Sequence, residues 1–443
     1  MQHWTLDGPS DSALTSMRDS APSVRATWRE RLRAPAISPL QRRVLLALGV
    51  ANLVDNYDGA LLGLALPQIQ AGLGISESAI GQVLAVVRLG TIPAVILAVM
   101  ADHVGRRLLL LITIVAFTVC TFLTALVGNA VEFMTIQFVA RTFIAAETML
   151  AIVVIAEEFD AHHRGWGIGM LGALGAFGFG IASIVFSLVN VLPYGWRALY
   201  VIGVLPLLLV AWMRRSLSET RRFAAQRASA AGGWWRGVLR PLRNLVRMYP
   251  GRMVALSAAL FPFAFVTETT MFFPSKFLQQ VHGYSPGDVA IMYLTVGVLG
   301  LLGNIVAGVL GDRFGRRRVL IVGVLANGGA AALFYNVSGW VVPWLWGIMA
   351  MTVTMNVVLF AALGSELFPT SYRSTASGVR SVIATIGAAA GLWLEGVLFS
   401  HLGSHAAAIT AMLVVVPIAP LVIALSLPET ANRELEEVSP ERD

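Results

Sequence analysis

Charged residues inside apolar segments are the first candidates for chemistry in this sequence. The acidic candidates are Asp55, Asp58, Glu147 and Glu268, and the basic ones are Arg88 and Arg141. Burial disfavours the charged form of a carboxyl group and a nearby arginine favours it, so such a group can bind a proton in one setting and release it in another. Arginine can also hold a carboxylate through two parallel hydrogen bonds. The pattern therefore predicts proton binding by the acids and anion binding by the arginines.

The spacing of these residues indicates how they are related. Asp55 and Asp58 are three residues apart and share one face of a helix, and Tyr57 between them is a further candidate for substrate binding. Glu268 follows Asp58 by 210 residues, which is also the offset of an internal repeat. Charged groups are expensive in hydrocarbon, so these residues are expected to be functional. The alternative is that acids and arginines only neutralise one another.

Two other charged residues, Lys276 and Glu395, lie nearer the ends of apolar runs and are weaker candidates. Lys276 is the only lysine of the chain. It is expected to extend along the apolar surface and to place its ammonium group at the membrane interface.

A short charged motif is written twice. Its matched residues are, in the first copy, Asp102, Gly105 and Arg106 and, in the second copy, Gly308, Asp312, Arg313, Gly315 and Arg316. The first copy has Ala98 in place of Gly308 and His103 in place of Arg313. Glu366 and Arg373 also match an earlier pair, Glu157 and Arg164. The motif copies are 210 residues apart and the Glu and Arg pairs 209 apart, and landmarks that recur at nearly the same offset indicate a tandem duplication.

Composition places the chain in a membrane. Hydrophobic residues make up 56% of it and charged residues 13%, against about a quarter charged in soluble domains. Twelve apolar runs are each long enough to cross ~30 Å of hydrocarbon. They lie near 44–70, 79–101, 108–127, 132–156, 166–192, 196–213, 253–280, 289–311, 319–337, 341–365, 378–400 and 406–427. The predicted fold is an all-α integral membrane protein with twelve transmembrane helices in two pseudo-symmetric six-helix halves.

Arginines mark one side of the membrane. They precede the first span, fill the connection between spans six and seven and occupy the other even-numbered connections, whereas the odd-numbered connections hold almost none. The positive-inside rule predicts cytoplasmic termini and a multi-pass protein of the cell (inner) membrane. The net charge of +7 is therefore explained by topology. A nucleic-acid partner is not expected, because the arginines are scattered over short loops.

The same pattern predicts five segments. They are a disordered cytoplasmic lead over 1–43, a first half over 44–213, a cytoplasmic linker over 214–252, a second half over 253–427 and a cytoplasmic tail over 428–443.

Enzymatic signatures are absent from the sequence. It contains no G-x-x-x-x-G-K-[ST] phosphate-binding loop and no H-E-x-x-H zinc motif. Cys120 is the only cysteine, which excludes a disulfide framework and a cysteine-based metal site. No enzyme activity, metal or cofactor is predicted, and any work that the protein does should be driven by a gradient.

The doubled motif resembles the cytoplasmic loop motif of the major facilitator superfamily of secondary transporters. The second copy matches it fully and the first copy partially. In that family the loop latches the two halves together, so the resemblance implies that the motif residues named above, with Glu366 and Arg373, form a conformational gate. The alternative is a topological anchor without a gating role.

Two further segments resemble particular branches of this superfamily. Residues 366–373 and 427–430 are similar to motifs of the sugar-porter and organic-acid branches. Asp55-Asn56-Tyr57-Asp58 resembles the D-G-x-D element of aromatic-acid:proton symporters, with Asn56 in place of the family's glycine. The glycine-proline signature of drug exporters is missing from span five, whose many glycines predict close helix packing instead.

The combined prediction is an alternating-access carrier that imports a small organic anion with protons and works as a monomer in the lipid bilayer. A sugar or polyol carrier and a proton-coupled exporter of amphipathic compounds are the alternatives within transport. A transport-inactive sensor or scaffold with the same fold is the alternative outside it.

Overall fold

The computed structural model describes residues 37–160, 163–214, 234–431 and 439. The predicted lead, linker and tail therefore lie partly outside the described residues, and so does the side chain of Asp102. Arg43–Asp443 form one compact unit. Within the described ranges every regular element is helical, as predicted.

The first half contains six spans, two of them interrupted. In chain order they are Pro39–Leu64 continued by Leu66–Leu73, Glu77–Leu89 continued by Thr91–Val104, Arg106–Thr124, Ala130–Glu158, Arg164–Phe186 and Trp196–Arg214. The helix Trp234–Met248 then follows in the predicted linker.

The second half repeats this plan. Its six spans are Pro250–Phe272 continued by Pro274–Gln280, Pro286–Thr295 continued by Val298–Phe314, Arg316–Phe334, Val342–Glu366, Arg373–Leu402, and His405–Met412 continued through the 3-10 turn Leu413–Val415 to Ile418–Ser426. A 3-10 turn at Thr370–Tyr372 precedes span eleven.

The predicted spans correspond to these helices. Among the described residues, ten helices are long and apolar enough to cross a membrane, and Trp196–Trp212 is a shorter apolar helix. Span one is not among these ten, and it carries Asp55 and Asp58. The chain is therefore a multi-pass membrane protein, and the predicted twelve-helix fold is confirmed.

The duplication is visible in the backbone. Spans three and nine are both 19 residues long, and each begins directly after a glycine of the repeated motif. Gly105 has φ 109° and Gly315 has φ 95°, a region that favours glycine because it has no Cβ atom. Each motif copy thus places a sharp turn between two spans at the same membrane surface.

Small residues allow helices to approach closely, but only at some of the predicted positions. A Cβ atom on Gly178 of span five would collide with the backbone of Leu53 in span one. A Cβ atom on Gly175 would lie 2.6 Å from the Asn52 amide and 2.7 Å from the Asn56 amide. Other span-five glycines have open space in front of them, namely Gly165, Gly169 and Gly172. The packing prediction is therefore confirmed for only part of the set.

The two halves are joined at one end of the bundle, which we call the arginine-poor end and which includes residues 64–80 and 273–285. One apolar core there combines residues of both halves, such as Leu66, Phe186, Phe277 and Leu392. Toward the opposite, arginine-rich end the halves have separate cores. Ser275 also donates a hydrogen bond of 2.6 Å to the carbonyl of Leu64 across the arginine-poor end.

Candidate functional site

An ion pair connects the two halves in the middle of the bundle. Arg88 Nη2 of span two lies 3.3 Å from Glu268 Oε2 of span seven. The two side chains are 29% and 22% exposed, so both can be reached by solvent or a small ligand. Arg88 stands next to the break at Gly90, where the helix ends and restarts. The structure thus pairs a predicted anion-binding residue with a predicted proton-binding residue.

Asp58 shares a neighbour, Arg141, with this pair. It is 2% exposed and accepts a hydrogen bond of 3.4 Å from Thr121 Oγ1. The guanidinium of Arg141 packs beside Gly59, with its Nη1 3.6 Å from the place that a Cβ atom there would occupy. Asp58, Arg88 and Glu268 all act electrostatically on Arg141. The structure therefore groups the predicted residues of spans one, two, four and seven.

Asp55 is a buried carboxyl without a hydrogen-bond partner among the described residues. Its side chain is 3% exposed, and both carboxyl oxygens lack a partner. Its electrostatic neighbours include Asp58, Glu147 and Arg214. An unpaired buried carboxylate is strongly disfavoured, and the assignment of Asp55 to proton binding stays a prediction.

The ion-pair partner of Glu147 is Arg214, which the sequence analysis placed in the cytoplasmic linker. Glu147 also accepts a hydrogen bond of 2.5 Å from Thr113 Oγ1. Arg214 also donates to the carbonyl of Leu110 at 3.1 Å. The sequence analysis placed Arg214 in the linker, yet it ends span six and is 1% exposed. An arginine at the end of an apolar run gives no sign of whether it turns inward.

Tyr57 is committed to the protein itself in this conformation. Its hydroxyl donates a hydrogen bond of 2.8 Å to the carbonyl of Leu199, and the residue is 4% exposed. This contact ties span one to span six. The assignment of Tyr57 to substrate binding stays a prediction.

Lys276 does not extend to the membrane interface, so that prediction was wrong. It is 1% exposed and forms hydrogen bonds with Gln70 and Glu77. Glu395 is fully buried and contacts His405. The sequence analysis did not single out Glu77 or His405, because nothing in their spacing relates them to Lys276.

The repeated loops carry matching ion pairs. Arg106 lies 3.0 Å from Glu157 in the first half, and Arg316 pairs with Glu366 in the second half. Arg316 Nη2 is also 3.4 Å from Asp312 Oδ1. These pairs join residues of the same half. Their gating role, together with that of Asp102, Arg313 and Arg373, stays a prediction.

Two repeated halves of six spans, with charged residues between them, are an arrangement that many secondary transporters share. The sequence model of the Major Facilitator Superfamily matches residues 48–306 and 254–442. The chain belongs to this superfamily, and it is a transporter and not an enzyme.

Individual relatives agree with this family. The chain is 27% identical to the probable 4-methylmuconolactone transporter of Cupriavidus pinatubonensis over 90% of its own length and 94% of the relative. It is 23% identical to the cis,cis-muconate transport protein of Acinetobacter baylyi over 77% of its length and 83% of the relative. The crystal structure of a D-xylose-proton symporter shares the fold, with a TM-score of 0.72, 20% identity and coverage of 88% of this chain and 98% of that one.

Proposed function

We propose that this protein is an alternating-access transporter that imports a small organic anion together with a proton. The ion pair between Arg88 and Glu268 carries the proposal, because it bridges the two halves and remains accessible. The names of two relatives, which describe muconate and methylmuconolactone transport, support an organic-acid substrate.

Substrate and proton are coupled through exchange at Arg88. A substrate carboxylate has the same charge and geometry as the side chain of Glu268, so it can replace Glu268 on the guanidinium. The displaced Glu268 then stands in a partly dry cavity without its counter-charge, which favours protonation. One negative charge and one proton enter together, and the net charge of the site is unchanged.

Asp58, Arg141 and Asp55 extend this site into the first half. Arg141 lies close enough to Asp58, Arg88 and Glu268 to take part in the same exchange. Asp58 would pass the proton to and from Glu268, and Asp55, whose carboxyl oxygens have no partner among the described residues, would be a further proton-binding group. Glu147 forms an ion pair with Arg214, so it would bind a proton only after that pair separated.

The proposal includes an orientation and a gate. The protein is a monomer in the inner membrane of the cell. Its arginine-rich end faces the cytoplasm, and both termini lie on that side. Along the chain, the protein would consist of the five predicted segments, which are the lead, the first half, the linker, the second half and the tail. The loop residues, among them Asp102 and Asp312, would latch the arginine-rich end when the opposite end opens.

Uptake by proteoliposomes tests the proposal. Vesicles with an acidic exterior should accumulate radiolabelled cis,cis-muconate, whereas protein-free vesicles should not and vesicles without a pH gradient should only equilibrate it. D-xylose, a neutral sugar, is the matched comparison. Accumulation of xylose in place of muconate would support the sugar-carrier alternative, and equal uptake with and without the gradient would exclude proton coupling.

A further inference from the structure

Four charged or titratable side chains meet at the arginine-poor end, outside the site described above. Glu77 begins span two, Lys276 lies near the end of span seven, Glu395 is in span eleven and His405 begins span twelve. The side chains of Glu395 and His405 are 0% and 13% exposed, and Glu77 is 40% exposed. The cluster therefore joins one residue of the first half to three of the second half.

The contacts of this cluster are centred on His405. Its Nε2 lies 2.8 Å from Glu77 Oε2, and its Nδ1 lies 2.5 Å from Glu395 Oε1. The same Glu77 oxygen accepts a hydrogen bond from Lys276 Nζ, and Lys276 also donates to Gln70. Each ring nitrogen of one histidine thus faces a carboxylate oxygen.

The hydrogen bonds of His405 need one proton more than a neutral imidazole and two ionised carboxylates supply. A neutral imidazole has one N–H donor and one acceptor, and an ionised carboxylate only accepts. Glu77 accepts from the Lys276 ammonium, so it is ionised and His405 Nε2 must be its second donor. The contact between His405 Nδ1 and Glu395 then needs a further proton, carried either by the imidazole or by the Glu395 carboxyl.

The surroundings of the ring favour a cation. The imidazole of His405 packs against two phenyl rings, with centroid distances of 5.0 Å to Phe273 and 4.3 Å to Phe399 and interplanar angles of 31° and 30°. Aromatic faces attract a cation within about 6 Å. A cavity of about 230 Å³ that His405, Glu77 and Lys276 help to line gives water access to the cluster.

We propose that Glu77, Glu395 and His405 form a proton-binding site whose occupied form holds the arginine-poor end closed. His405 and Glu395 belong to one half and Glu77 to the other, so opening this end must pull Glu77 away from the imidazole. In the protonated site His405 binds both carboxylates. After loss of the proton the neutral ring has one N–H group. Glu395 is fully buried, whereas Glu77 keeps its hydrogen bond from Lys276, so the ring donates to Glu395, its contact with Glu77 is lost and the connection between the halves weakens.

The direction of the pH dependence follows from the charges that face the ring. Among the described residues these are Glu77 of span two, Lys276 of span seven and Glu395 of span eleven. Glu395 also acts electrostatically on Tyr335, the residue that follows span nine. The two carboxylates carry two negative charges and the Lys276 ammonium balances one of them, so one further positive charge makes the cluster neutral. The closed form therefore binds the proton more tightly, so acid favours closure and alkali favours opening.

Spin-label distances across the arginine-poor end test this site. Labels on Ala71→Cys and Leu402→Cys, both at exposed positions, would be placed in a Cys120→Ala protein in nanodiscs without substrate. The closed-to-open ratio should rise as the pH falls from about 8 to about 5. A single proton limits the change to about tenfold per pH unit. The same measurement in an Asp58→Asn background excludes a contribution of Asp58 to the pH dependence.

Three variants separate the proton from the fold. Glu395→Gln supplies an amide donor to a neutral His405, so its arginine-poor end should stay closed at every pH. His405→Gln should open more readily and lose the pH dependence. His401→Gln changes an exposed histidine near the end of span eleven, four residues before His405, and should behave as the wild type. An unchanged pH dependence in both His405→Gln and Glu395→Gln, or none in the wild type, would overturn the proposal, and neither result depends on which substrate is transported.

Discussion

The Glu429 carboxylate occupies the space that a Cβ atom on Gly315 would need. From there its Oε1 accepts a hydrogen bond of 2.8 Å from the backbone N–H of Arg316, at the first turn of span nine. An acidic group is favourable at this position, because the first N–H groups of a helix have no partner within it and carry partial positive charge. The segment that follows span twelve thus caps span nine, and the glycine of the repeated motif makes room for it.

We expect Gly315→Ala to destabilise the second half. The new methyl group would displace Glu429, and alanine is strained at φ 95°. A non-glycine residue in such a conformation costs on the order of 1–3 kcal/mol, so the melting temperature of the purified protein should fall. Gly308→Ala is the matched control, since nothing lies within 4 Å of its Cβ position. Equal melting temperatures for the two variants would show that the capping contact of Glu429 does not require a glycine at position 315.

Replacing Arg88 with lysine should weaken the binding of a carboxylate substrate. Lysine keeps the charge but lacks the planar fork that grips both oxygens. Loss of one charge-assisted hydrogen bond corresponds to about 1.5–3 kcal/mol, or roughly ten- to a hundredfold in Kd. Isothermal titration with cis,cis-muconate would measure the change. Arg197→Lys is the control, because Arg197 binds the carbonyl of Val127 at 2.9 Å, away from the site; an equal loss there would point to a general defect.

Asp58→Asn should uncouple transport from the proton gradient. Asparagine preserves the size of the side chain but cannot carry a proton between the two sides of the membrane. Accumulation driven by a pH gradient should be lost, whereas exchange of labelled for unlabelled substrate should continue. Asp288→Asn, an exposed residue of a capping box, should keep both activities. Full gradient-driven accumulation by Asp58→Asn would remove Asp58 from the coupling mechanism.

Breaking the pair between Glu147 and Arg214 should be more harmful than removing both charges. Loss of one partner leaves the other charge buried and unpaired, which costs about 3–5 kcal/mol. Glu147→Gln and Arg214→Met should each lower the melting temperature sharply, and the double variant should recover part of it. If the effects of the two single changes simply add in the double variant, the pair has no coupling energy.

The two copies of the loop motif should contribute unequally to the latch. We expect Asp312→Ala to shift the protein toward opening of the arginine-rich end at least as much as Asp102→Ala does, because the second copy is complete. A change of about 1–2 kcal/mol at a helix end alters a two-state ratio by roughly five- to thirtyfold. Spin-label distances across that end would resolve such a shift. Unchanged distances in both variants would leave the motif with a topological role only.

Much of the architecture followed from the sequence alone. A hydrocarbon layer accepts only long apolar helices whose backbone groups are bonded internally, so the apolar runs specify the spans with little help from packing. Gly105 and Gly315 could be recognised as turns because the motif is written twice and only glycine suits the backbone there. The relation between Asp58 and Glu268 was visible for the same reason, through the offset of the repeat.

The partners of the buried charges were decided by the tertiary structure. Helical periodicity shows which residues share a face, but the neighbour of that face depends on the rotation and depth of each span, which distant packing contacts determine. Arg214 therefore turned inward to Glu147 and Lys276 turned inward to Glu77, although the sequence placed both near a membrane surface. The cluster around His405 brings together residues 328 positions apart, and no local pattern in the chain relates them.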